Sequence, residues 1–322
     1  MVNGFIQKLN AWGKEKKPFL FVVDFELKKP LAFQLEEVNP EEILFYVNGR
    51  TNAPELSYPV KPLSFEKFPL PFPLYKSKFD RVMDEIKKGN SYLTNLTMGT
   101  PVSANMDLKE LFLKSKARYK LCIKNQFLVF SPEAFIQIKG HKIFSYPMKG
   151  TIDANIPQAE KAVLENPKER AEHITIVDLI RNDISRIASQ VEVPKFRYVE
   201  KINTIHKNLL QVSSKISGIL PDGAFSSLGS LLCQLLPAGS VCGAPKEKTR
   251  EIIRRVEGED RGYYTGVFGI FDGENLDSGV MIRFIESKNG QLVYRSGGGI
   301  TFQSEVFEEY QELMDKIYVP IN

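Results

Sequence analysis

Residues 134 to 151 read Ala134-Phe-Ile-Gln-Ile-Lys-Gly140, then His141-Lys-Ile-Phe-Ser-Tyr146, then Pro147-Met148-Lys149-Gly150-Thr151. The two apolar runs with Lys139-Gly140 between them spell a strand, a tight turn and a second strand. Pro147 stiffens the chain beyond them. Gly150 permits an unusual turn or a close backbone approach. Lys149 is thereby predicted just past a strand end, on constrained backbone. A solvated loop lysine fits the same five residues, so the meaning of Lys149 depends on the rest of the chain.

The 322 residues suffice for about two domains or one large α/β domain. Hydrophobic content is 43% and charged content 25%, the mix of a soluble globular enzyme. Net charge is +4, with Lys and Arg interleaved among Asp and Glu. No long basic block points to nucleic acid, and the mild positive bias suits a small anionic substrate. The cysteines are Cys122, Cys233 and Cys242, an odd number without zinc or redox spacing. Reduced thiols in a cytoplasmic protein are the simplest expectation. Phe19-Leu-Phe-Val-Val23 is too short for a membrane span or signal peptide.

Working outward, residues 19–25 and 43–47 read as strands. The stretch 54–73 is Pro-rich and reads as a linker after a short N-terminal region. Helical spacing marks 77–88 and 107–116, with strand patterns at 91–97 and 121–130. Residues 157–188 form the longest helical pattern. Further strands are predicted at 190–199, 209–219, 267–271, 279–287 and 292–295, with helices at 226–236 and 305–317. Gly239-Ser-Val-Cys-Gly-Ala-Pro-Lys246 is a Gly-rich loop opening a helix through Val256, the usual setting of an anion site. Gly297, Gly298 and Gly299 follow a strand, and three glycines there cost chain entropy. They predict close approach of backbone amides to a ligand carboxylate.

Two carboxylate pairs share one spacing. Glu169 and Glu172, and Glu309 and Glu312, each lie three residues apart on a predicted helix face. Two helices offering two carboxylates each can supply the oxygen ligands a hard cation such as Mg²⁺ prefers. Ordinary solvated glutamates have the same spacing.

Eight stretches in order resemble one family, the chorismate-utilising enzymes, which include anthranilate, aminodeoxychorismate, isochorismate and salicylate synthases. They are Ser131–Phe135, Pro147–Thr151, Ala171–Asp183, Gly239–Lys246, Arg261–Gly266, Ile282-Arg283, Gly297–Ile300 and Glu309–Lys316. The resemblance implies an α+β (or α/β) chorismate-binding fold of the anthranilate synthase component I type, with two packed, largely antiparallel sheets and outer helices. It implies a catalytic domain over 76–322 with an abbreviated N-terminal region, 1–75, packed on it. Within the family the chain is most similar to the aminodeoxychorismate synthase component I group, which has a Lys where Lys149 stands. Isochorismate and salicylate synthases carry a water-activating Lys at the position that matches Leu93. Its absence points to ammonia as the nucleophile.

The resemblance further implies roles. Lys149 is the covalent nucleophile and Glu133 the general acid and later base. Arg283 clamps the enolpyruvyl carboxylate, assisted by Tyr264 and the amides of Gly297, Gly298 and Gly299. Thr151, Gly243 and Lys246 complete the substrate site. Glu172 and Glu309, with Glu169 and Glu312 near or through water, hold Mg²⁺ against the ring carboxylate. Ammonia is expected from a glutamine amidotransferase subunit, and the product feeds p-aminobenzoate and folate synthesis. Three departures stand out: Gln211 replaces a His usual in the family, Cys242 a Thr, and Phe284 another Thr. An anthranilate synthase large subunit and a non-catalytic chorismate-binding homologue are the alternatives.

Overall fold

The computed structural model describes residues 2–54, 62–203 and 208–321; the side chains of 151, 168, 202, 203, 208 and 209 lie outside that description. The chain runs α1 (Val2–Lys14), β1 (Phe19–Val23), β2 (Leu31–Gln34), β3 (Ile43–Val47), β4 (Arg50–Thr51), β5 (Phe65–Lys67), α2 (Phe72–Lys87), β6 (Leu93–Ala104) and α3 (Leu108–Lys114). Next come β7 (Tyr119–Ile123), β8 (Phe127–Ser131), β9 (Ala134–Lys139), β10 (Lys142–Ser145), β11 (Met148–Asp153), α4 (Ala159–Glu165), α5 (Pro167–Ser185), β12 (Ser189–Asn203) and β13 (Asn208–Ile219). It closes with α6 (Leu228–Leu235), β14 (Gly243–Ala244), α7 (Lys246–Glu257), β15 (Val267–Phe271), β16 (Asn275–Val280), β17 (Phe284–Lys288), β18 (Gln291–Thr301) and α8 (Val306–Asp315).

The strands form two nine-stranded sheets. One runs β11-β13-β10-β9-β16-β15-β1-β2, with β12 also on β13; the other runs β14-β6-β18-β17-β8-β7-β3-β4, with β5 on β6. Strand β1 shows how they stack. All five of its residues are buried. Phe19, Phe21 and Val23 pack in the cluster that holds Leu9 of α1 and Leu228, Leu232 and Leu235 of α6. Leu20 and Val22 face the other way, among Phe45, Leu121, Val129 and Phe284 of the second sheet. A strand covered on both faces has no polar side to show, which is why it reads as an uninterrupted apolar run. A third cluster joins the second sheet to α2, α3, α7 and α8. The layers are therefore helices, sheet, sheet, helices, as the family resemblance implies.

The stretch Ala224–Val241 is long and apolar enough to cross a bilayer. Its leucines 228, 232 and 235 are instead buried against α1 in the core.

Several elements differ from the sequence reading. Helix α2 starts at Phe72, inside the proposed Pro-rich linker, because Pro73 falls in its first turn, where no N–H partner is lost. Residues 65–67 of that linker form β5 on β6, and Pro59 lies outside the described residues. The long helix of 157–188 is two helices: Asn166 caps α5 through Glu169 N and Pro167 opens it. The strand 279–287 is also two. β16 belongs to the first sheet, β17 to the second, and Met281–Arg283 cross between them. That crossing builds the site.

Candidate active site

Strand β11 carries Lys149. It pairs with β13 at Met148↔Ser213 and at Thr151↔Gln211, with a register shift between them. Lys149 and Gly150 occupy the irregularity, and Gly150 has φ +79°. A bulge re-aims side chains, and here Lys149 Nζ reaches Glu172 Oε2 on α5 at 3.0 Å. Lys149 thus lies within a strand, not beyond one. Burial pulls its pKa down, but the carboxylates of Glu172, Glu312 and Glu169 outweigh that and leave it raised. In this state the amine is a protonated ion-pair partner.

The three glycines sit inside β18, not in a loop after a strand. Gly297, Gly298 and Gly299 pair with Thr97, Leu96 and Asn95 of β6. On the other side β17 pairs with β18 only as far as Phe284↔Arg295. From Ser296 onward that edge of β18 is open. A Cβ on Gly299 would stand 3.2 Å from Lys149 Nζ and 3.0 Å from Leu93 Cδ1. A Cβ on Gly298 would stand 3.2 Å from Glu309 Oε2. The glycines leave room for the nucleophile candidate on one position and the carboxylate on the next. Leu93 and Lys149 both border the space at Gly299.

Lys316 joins them. Its Nζ donates to Gly297 O at 2.9 Å and pairs with Glu312 Oε1 at 2.6 Å. Burial lowers its pKa.

Arg283 stands at the crossing from β16 to β17, with φ +54°. This left-handed conformation is uncommon for a bulky residue and is held by the surrounding fold. Phe130 N donates to Arg283 O at 3.1 Å, and Phe284 stacks on Phe127 with centroids 4.9 Å apart. The Nε of Arg283 is buried without an acceptor. A buried charged donor left unpaired is costly, and a substrate carboxylate would satisfy it. Tyr264 is 3% exposed, and burial raises its pKa, so its hydroxyl stays protonated.

Glu133 follows β8 at the edge of the same site. Ser240 Oγ donates to Glu133 Oε1. Burial raises the carboxyl pKa, and the Ser240 bond and the charges of Lys149, Arg283 and Lys316 only partly offset it. A carboxyl held above its ordinary range is suited to act as an acid.

The Gly-rich loop is packed between β6 and α5. Gly243 (φ +134°) lies in β14, paired with β6 so closely that a Cβ would collide with Leu93 O. Lys246 Nζ is held by Asp183 Oδ2 at 2.6 Å and Leu235 O at 3.0 Å. Its ammonium is engaged inside the fold. Thr151 lies on β11 opposite Gln211, and its side chain is outside the described residues. Cys242, within the loop, is fully buried. Burial pushes Cys122 up to about 12 and Cys233 and Cys242 up to about 11, so none is an activated thiolate.

Glu172 and Glu309 are buried, at 7% and 2% exposure. Ser304 Oγ donates to Glu309 Oε1 at 2.6 Å. Among the described residues no three acidic, His or Cys side chains converge as a metal site. The donors are nonetheless hard oxygens, two of them desolvated, flanking the backbone that Gly298 and Gly299 leave open. Donor chemistry and that cradle fit Mg²⁺; Lys149 and Lys316 are the cations that hold the carboxylates here. His173, next to Glu172, bonds Ser214 Oγ at 2.7 Å, and burial lowers it to about 4, so it is neutral.

Lys316, Ser240 and Asn95, whose Nδ2 donates to Gly298 O at 3.4 Å, received no role from the sequence. Lys316 stood in a matched stretch, four residues after Glu312. That spacing on one helix face was the available signal.

The family described as chorismate binding enzyme matches residues 7–322. An uncharacterized PabA-like protein of Pasteurella multocida is 48% identical over 321 residues, 99% of each chain. Aminodeoxychorismate synthase component 1 of Salmonella typhimurium is 34% identical over 259 residues, covering 76% of this chain and 56% of that one. Among solved structures, one described as a 2,3-dihydroxybenzoate-specific isochorismate synthase from Bacillus anthracis aligns with a TM-score of 0.75. It covers 98% of this chain and 87% of that one at 21% identity, a likeness of fold.

Proposed function

The chain belongs to the chorismate-binding enzyme family, and from that premise we propose that it is an aminodeoxychorismate synthase component I. It converts chorismate and ammonia to 4-amino-4-deoxychorismate and water, as a step toward p-aminobenzoate and folate. The observation that carries this reading is Lys149 Nζ standing beside Gly299 at the open edge of β18; the resemblance, which matches Leu93 to the water-activating lysine of other members, supports it. The raised thiol pKa values support an ammonia supply from a separate glutamine amidotransferase.

Arg283 takes the enolpyruvyl carboxylate on its unpaired Nε edge, with the Tyr264 hydroxyl and the amides of the open β18 edge assisting. Glu172 and Glu309, with Glu169 and Glu312 beside them, would hold Mg²⁺, which when bound supplies positive charge against the ring carboxylate. Once Glu172 turns from Lys149, the strongest of the charges that raise its pKa is gone, and burial, which lowers a lysine pKa, is opposed only by the weaker pull of Glu312 and Glu169. The free amine then attacks C2, the ring double bonds shift and the C4–O bond breaks. Glu133 gives its proton to the departing hydroxyl, which leaves as water. Ammonia adds at C4, the double bonds shift back and the C2–N bond to Lys149 breaks. Glu133 takes up the surplus proton.

Incubating the protein with chorismate, ammonium and Mg²⁺ and identifying the product by mass spectrometry tests this. 4-Amino-4-deoxychorismate is expected. Anthranilate or isochorismate as the main product would reassign the reaction, and unchanged chorismate would remove it.

A further inference from the structure

We infer that Tyr318 is a positioning residue for the carboxylate-binding Arg283, presenting its ring to the guanidinium so that the cation stays oriented and unneutralised. The inference rests on the reading of Arg283 under the proposed function. Arg283 Cζ lies 5.4 Å from the centroid of the Tyr318 ring. That is cation–π range, and such a contact fixes a guanidinium plane.

The ring is not where it is because of its own burial, since Tyr318 is 45% exposed. Its neighbours hold it. Ile317 and Val319 are buried at 4% and 9%. Tyr294 Oη donates to Tyr318 O at 3.0 Å, and Lys116 N donates to Pro320 O at 2.7 Å. Ile321 bridges Ser115. The C-terminal segment is thus pinned on both sides of an aromatic residue left facing solvent over Arg283. The uncharged phenols of Tyr294 and Tyr264 also lie close to Arg283. No ion pair to a carboxylate is formed by Arg283 among the described residues. A carboxylate would orient the guanidinium but cancel its charge. An aromatic face orients it and leaves the charge for an incoming anion.

The test measures chorismate binding by calorimetry with Mg²⁺ and without ammonium, for the wild-type protein, Tyr318→Phe and Tyr318→Leu. Leu keeps the bulk and removes the π face, so the fold should survive. Binding is expected to weaken about threefold to thirtyfold in Tyr318→Leu and less than about twofold in Tyr318→Phe. The loss should appear in KM, with kcat at saturating chorismate within about twofold. Combining Tyr318→Leu with Arg283→Lys should weaken binding less than the two separate losses multiplied together. Equal affinity in Tyr318→Leu, or equal losses in Leu and Phe, would overturn the inference. Failure of the wild-type protein to bind chorismate would instead overturn the functional reading on which it rests.

Discussion

Lys149 Nζ and Glu172 Oε2 are 3.0 Å apart, so the candidate nucleophile and a candidate metal ligand are partners of each other in the ligand-free protein. The pair is nearly enclosed, with side-chain exposures of 23% and 8%. The lysine must lose this partner before it can act as an amine. Its raised pKa sets the direction of the first prediction. Replacing Glu172 by Gln removes the largest of the charges that raise it and leaves burial, which lowers it, against the weaker Glu312 and Glu169. Labelling of Lys149 by an amine-directed reagent, followed by peptide mass spectrometry across pH, should shift to lower pH in Glu172→Gln. An unshifted profile would show that Glu172 does not set the state of the amine. Lys149→Ala should lose most 4-amino-4-deoxychorismate formation, and a wild-type rate there would refute the covalent role.

Metal dependence gives the second. Glu172→Gln and Glu309→Gln should each abolish Mg²⁺-dependent turnover. Thermal unfolding should show that both variants remain folded. Full activity in either variant would remove that residue from the metal site.

Arg283 gives the third. Arg283→Lys keeps the charge but loses the Nε donor that is buried without an acceptor here. Chorismate binding should weaken by roughly 1–3 kcal/mol, the scale of a charged hydrogen bond. Unchanged calorimetric affinity would sink the assignment.

Ser240 and Glu133 give the fourth. The Ser240 hydrogen bond lowers the Glu133 pKa against the burial that raises it. Removing it in Ser240→Ala should raise that pKa further. If Glu133 is the acid, activity falls as it ionises, so the alkaline limb of the pH–rate profile should move upward. A limb that stays in place would separate Ser240 from the acid. Glu133→Gln should cost about 10²–10⁴-fold in kcat.

The fifth concerns stability. Lys120 is 9% exposed, its Nζ donating to Phe112 O at 2.8 Å and Ser115 O at 2.7 Å near the end of α3. Burial pulls its pKa from 10.5 to about 8. Below about pH 8 both folded and unfolded forms carry the charge, and the burial cost stands in full. Between about 8 and 10.5 the unfolded chain holds more protons, so this group makes stability rise with pH. Denaturant titrations across that window should show a steeper upward slope in wild type than in Lys120→Met, by up to about 1.4 kcal/mol per pH unit. Parallel slopes would count against a charged, desolvated lysine.

Much of this protein was legible from its sequence because the relevant information is local. The strand-turn-strand of β9 and β10, the all-apolar β1 and the i, i+3 glutamate pairs are each specified within a dozen residues, where periodicity and turn chemistry act. The resemblance then attached roles to Lys149, Glu133 and Arg283 through ordered motifs. What only the tertiary structure decided depends on partners far along the chain. No local pattern shows that 279–287 divides at Met281–Arg283 between two sheets, since Val280 pairs with Val267 while Phe284 pairs with Val129 and Arg295. The glycines read as a ligand loop because three in a row weaken a strand. They lie within β18 because β6, some 200 residues earlier, supplies the ladder, and because Lys149 and Glu309 need the space that a Cβ would fill. The Lys149–Glu172 pairing follows from a bulge in β11 set against α5, and the Tyr318 ring over Arg283 from a C-terminal segment tied to Ser115. Each is a consequence of steric room and long-range pairing, which a sequence window does not contain.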